Sequence, residues 1–131
     1  MPGGNSGDEA IKHVGKRRVR ISGRFFPNGA SAVSATSNQG KAGWSVARTA
    51  QGVFTITLDR RYLKVFPIGG ALQLSVAAAR FLQWGDITAT SSGHTLVLRV
   101  IDATAVAQDV AANANNSIGF DIEAVQDTVA G

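Results

Sequence analysis

Strict two-residue alternation is the feature that most constrains this chain. In Val53–Leu58, the apolar residues Phe54, Ile56 and Leu58 alternate with Val53, Thr55 and Thr57. Leu96, Leu98 and Val100 alternate with Thr95, Val97 and Arg99, and Ile118, Phe120, Ile122 and Ala124 with Gly119, Asp121 and Glu123. A period of two sends successive side chains to opposite faces of an extended backbone. Each such strand has one apolar face, which a second layer must cover. No long amphipathic helix competes. The expected fold is therefore all-β: an antiparallel β-sandwich or partly closed β-barrel (jelly-roll-like) of six to eight short strands with a flexible N-terminal arm.

The rest of the chain fills in this frame. Residues 1–15 read as the arm, 16–126 as a single β domain and 127–131 as a C-terminal tail. The first ten residues are polar and Gly-rich, and have little apolar surface to offset ordering. Val19, Ile21 and Phe25 share one side of an extended run, with Arg18, Arg20, Ser22 and Arg24 on the other. Pro27-Asn28-Gly29 reads as a turn, and residues 28–43 as a loop. Trp44–Arg48, Thr49-Ala50-Gln51-Gly52 and Val53–Leu58 make a β-hairpin. Asp59 to Tyr62 then leave the sheet, and Pro67 with Gly69-Gly70 closes a longer loop. Leu72, Leu74 and Val76 suggest a strand, with residues 82–90 as its partner. Ser91-Ser92-Gly93 is a turn. Residues 102–116 are a loop or a single helical turn.

With 131 residues the chain is long enough for one self-sufficient core. It has no cysteine, which excludes a disulfide scaffold, a thiolate zinc site and a cysteine nucleophile. No apolar run approaches the ~18 residues that span a bilayer, so a soluble protein without membrane contact is expected. The net charge is +4, unevenly spread: bases dominate the front, while residues 102–131 hold five acids and no base. Front and end either attract each other, within or between subunits, or form ordinary solvated surface.

Chemistry-bearing patterns are sparse. His13 and His94 are isolated, with no metal-ligand spacing. No serine lies in a G-x-S-x-G elbow, and neither Gly3-Gly4 nor Gly69-Gly70 fits a phosphate-binding loop. Asp121 and Glu123 share one side of a strand and read as a solvated pair. No enzyme, cofactor or metal is expected. The densest basic cluster is Lys16, Arg17, Arg18 and Arg20. Nucleic-acid binding calls for aromatics on the same face, but Phe25 falls on the inward side, so the cluster points to an acidic protein neighbour instead. Trp44, Trp84, Phe66 and Tyr62 stand outside the clearest inward register, as interface anchors or as caps on the open ends of the sandwich. The expected partner-binding residues are Lys16, Arg17, Arg18, Arg20, Tyr62 and Phe66.

V-R-I-S-G-R-F-F-P-N-G-A-S at 19–31, W-S-V-A-R-T-A-Q-G-V-F-T-I-T-L at 44–58 and N-S-I-G-F-D-I-E-A at 116–124 together resemble small structural proteins of tailed bacteriophages. The resemblance spans about residues 19–125. The Ala77–Ala79 stretch and the Asp59-Arg60-Arg61 loop depart from that pattern. The resemblance implies a virion component without catalytic residues. The expectation is a capsid decoration (cement) protein that binds the major capsid protein as a homo-oligomer, with a trimer the expected form. A tail or fibre-related protein is the alternative, and a carbohydrate-binding β-sandwich a more distant one.

Overall fold

The computed structural model describes residues 16–37, 43–91 and 93–127, without the side chains of 16, 34–37 and 127. The arm, Ser92 of the expected turn and residues 128–131 lie outside the described residues. Eight strands run in chain order: β1 (Lys16–Asn28), β2 (Ser31–Ser37), β3 (Trp44–Ala50), β4 (Val53–Leu58), β5 (Lys64–Gln73), β6 (Phe81–Ala89), β7 (His94–Ile101) and β8 (Ser117–Asp127). They form two four-stranded antiparallel sheets, ordered β2-β1-β8-β5 and β3-β4-β7-β6. Of the two expected architectures this is the sandwich.

Alternation builds the core as expected. Ile21 and Phe25 of β1 and Ile118, Phe120, Ile122 and Ala124 of β8 meet Phe54, Ile56, Leu58, Leu96, Leu98 and Val100 from the other sheet, all buried. Burying each large apolar side chain contributes about 1.5–3 kcal/mol. Two aromatic contacts lock the layers together. Phe25 and Phe54 lie 5.0 Å apart between centroids, and Trp44 meets Phe120 edge-on at 4.8 Å. Gly23 makes the second contact possible, because a Cβ there would overlap the Trp44 indole and the Phe120 ring.

Four expectations need correction. Residues 31–37 are not loop but strand β2, paired with β1 through Phe25↔Thr36 and Phe26↔Ala35. The serines and alanines that make up most of this segment carry little strand preference of their own, and β1's hydrogen-bonding edge supplies what they lack. Pro67, Gly69 and Gly70 lie inside β5 rather than in a loop. β5 is an edge strand, where Pro is tolerated, and its register shifts between Pro67 and Gly69. The strand reading at Leu72 stops at Gln73, and residues 74–80 cross between the sheets. Residues 81–89 are strand β6, as expected, but they pair with β7 in the opposite sheet rather than with the run at Leu72. In addition, β8 extends through Asp127, one residue into the expected tail.

Residues 102–116 form an irregular connection, clamped at two points. The Asp102 carboxylate accepts from Thr104 N at 2.8 Å, Thr104 Oγ1 at 2.7 Å, Val106 N at 3.0 Å and Gln108 Nε2 at 2.9 Å. These donors, the Thr104 hydroxyl foremost, hold its carboxyl far below the ordinary carboxylate range. The Asp109 carboxylate accepts from Arg48 Nε and Nη2, each at 2.9 Å, and from Gly52 N at 2.8 Å. Gly52 has φ 64°, and a Cβ there would come within 2.5 Å of Gln108 N. Glycine thus lets the β3–β4 turn press against the connection.

Candidate docking site

Sheet pairing places Arg18 and Arg20 of the expected basic cluster on the outer face of the first sheet, beside the acids of β8. Arg18 Nη1 meets Glu123 Oε1 at 2.8 Å. Arg20 reaches both carboxylate oxygens of Asp121, at 3.3 and 2.9 Å, and the Ser22 hydroxyl donates to the same carboxylate. Arg17 Nη2 donates to Gln126 Oε1 at 3.0 Å. Lys16 opens β1 in register with Asp127. Arg24 donates to Gln73 Oε1 at 3.4 Å and Ser117 Oγ at 3.0 Å. The Arg20 hydrogen bond holds the Asp121 carboxyl below its ordinary value, and Asp121 raises Arg20 in return. The basic front and the acidic end therefore attract each other within one subunit.

The four large side chains separate. Trp44 is core, 2% exposed. Trp84 and Tyr62 are half-buried against the core. Tyr62 caps one end of the sandwich, its ring 6.4 Å from that of His94. Phe66 is 40% exposed. It shares a row across the sheet with Arg20, since both are in register with Glu123 of β8. The structure thus brings Phe66, Arg18 and Arg20 to one face and sends Tyr62 to an end of the sandwich.

Phe66 has apolar company that the sequence reading missed. Ile68 on β5 is 46% exposed and Leu63 just before it 51%; on β6, Phe81 and Ile87 are 54% and 41% exposed, with Phe81 on the outer face of the other sheet. β5 and β6 are edge strands of opposite sheets along one side wall, where a Cβ on Gly70 would touch Leu82 at 3.1 Å. A signal for this was present: Val65 and Pro67 face inward while Lys64, Phe66 and Ile68 face outward. The proline and glycines hid that alternation.

Preceding this apolar run, Arg60, Arg61 and Lys64 are exposed. None of the three has an ion pair or hydrogen-bonded side-chain partner among the described residues. Their charge is felt nearby. Burial pushes the His94 imidazole below its ordinary value, and Arg61 lowers it further. Burial raises the Tyr62 phenol, with Arg60 opposing.

Other features are structural. His94 is buried, and its Nδ1, like Trp44 Nε1, has no hydrogen-bond partner among the described residues. A cavity of about 250 Å³ lies between residues 74–80 and 109–116. Its polar wall is already engaged: Asn116 accepts from Ser75 N at 2.7 Å and donates to Ala111 O at 3.0 Å. Among the described residues, no group of three or more His, Asp or Glu is placed to hold a metal ion.

Comparison with protein-family models, curated proteins and solved structures gave no match for this chain.

Proposed function

We propose that this chain is a structural subunit of a tailed-bacteriophage virion, a capsid decoration protein that binds the assembled shell through one side wall of its sandwich. The supporting observation is the exposed apolar group on and just before the edge strand β5, namely Leu63, Phe66 and Ile68. Edge strands ordinarily carry charge, and exposed apolar clusters mark interaction surfaces. The resemblance of residues 19–31, 44–58 and 116–124 to phage structural proteins supports the same reading. Binding the assembled shell in preference to its free subunits stabilises it by mass action. A carbohydrate-binding module is less well supported, because Trp44 is buried and Trp84 and Tyr62 pack against the core rather than lining a groove. The test is electron microscopy of the phage particle, made with and without this chain. Extra density on the shell that disappears with the chain agrees with the proposal. Density confined to the tail, or none, contradicts it.

A further inference from the structure

We infer that the Arg60–Ile68 segment is the docking surface, and that its partner is a protein surface presenting carboxylates around an apolar recess. The inference rests on the shell-protein reading and names the chemistry of the site. Within nine residues, three exposed cations (Arg60, Arg61, Lys64) are interleaved with three exposed apolar side chains (Leu63, Phe66, Ile68). The cations have no carboxylate partner among the described residues. The β1 arginines differ, since Glu123 and Asp121 hold Arg18 and Arg20. The cations of the segment complement a partner's acids, while its apolar side chains need a desolvated seat. Charge of this kind governs encounter and specificity, and buried apolar anchors govern residence. A phosphate backbone would satisfy the cations but leave Leu63, Phe66 and Ile68 uncovered.

The experiment measures binding of the purified chain to phage particles assembled without it, across a salt series. It compares wild type with Arg60→Ser/Arg61→Ser/Lys64→Ser, with Phe66→Ser/Ile68→Ser, and with Arg18→Ser/Arg20→Ser. All substituted positions are exposed, and circular dichroism checks that each variant folds. The triple variant should lose affinity at least about tenfold at low salt and show a flattened salt dependence. The apolar variant should lose about tenfold or more at every salt concentration. Arg18→Ser/Arg20→Ser should stay within about threefold of wild type. Equal affinity of the triple variant and wild type at low salt would overturn the inference, and so would the main loss appearing in Arg18→Ser/Arg20→Ser. Should the apolar variant misfold, the triple variant decides alone. Competition by a DNA duplex as effective as by the particles would assign the segment to nucleic acid instead. Wild type that binds normally while both segment variants match it removes the docking surface alone. Wild type that ignores the particles removes the shell reading and the surface with it.

Discussion

Two basic runs of this chain look alike in sequence and end differently in space. Arg17, Arg18 and Arg20 lie on β1, and β8 brings Gln126, Glu123 and Asp121 alongside from roughly a hundred residues away. Arg60, Arg61 and Lys64 lie where β4 gives way to β5; β5 also pairs with β8, Lys64 opposite Val125, yet none of the three has an ion pair among the described residues. Local charge density is the same kind of signal in both. What separates them is the side-chain contact made across the sheet: β1 and β5 both flank β8, but its carboxylates close on Arg18 and Arg20 and, among the described residues, on none of Arg60, Arg61 and Lys64.

The largest expected effect tests the β1–β8 pairing on which the contrast depends. Phe120 sits opposite Gly23 and packs against Trp44, so Phe120→Ala should cost about 3–5 kcal/mol in urea denaturation. A loss below about 1 kcal/mol would mean that β8 is shifted by one residue, and the arginine–carboxylate rows would shift with it.

Acid titration sharpens the same contrast. His94 has a folded pKa below its ordinary 6.5, so the unfolded chain binds that proton first and stability falls as pH drops from about 6.5. Asp109 and Asp121 have folded values below their ordinary 3.8. Their contribution is complete above that pH and is lost as pH falls through the lower folded values. Two separate acid steps should appear in stability measured against pH. His94→Gln should remove the upper step, and Asp109→Asn should shrink the lower one. A single step unaffected by His94→Gln would contradict the buried, Arg61-facing placement of that imidazole.

The smallest effect concerns the paired run itself. Arg18 and Arg20 are mostly solvated, with side chains 65% and 64% exposed, and exposed pairs are weak and screened. Arg18→Ser/Arg20→Ser should lower stability slightly at low salt and leave it unchanged at high salt. A large, salt-independent loss would show that the row holds the fold together.

The sequence made most of the sandwich legible, because β4 and β7 carry apolar residues at every second position, and β1, β3 and β8 do so over part of their length. Its blind spots have one physical origin. β2 is built mostly from serine and alanine, and β5 contains Pro67, Gly69 and Gly70. Both are edge strands, held by a neighbour's hydrogen bonds rather than by local preference. Misreading β5 also hid the outward run of Phe66 and Ile68, so the site was legible only as single residues. The β1 arginines stood out in sequence, but their partners on β8 could not be assigned without the sheet order.

Covalent footprinting with a carbene reagent tests the central contrast most directly, by comparing the free chain with the chain mixed with the phage particle proposed as its partner. Leu63, Phe66 and Ile68 should label readily when free and be protected on the particle. Val106, 52% exposed on the 102–116 connection, should label equally in both states. Protection of Val106 with Phe66 and Ile68 still labelled would place the interface elsewhere and contradict the account.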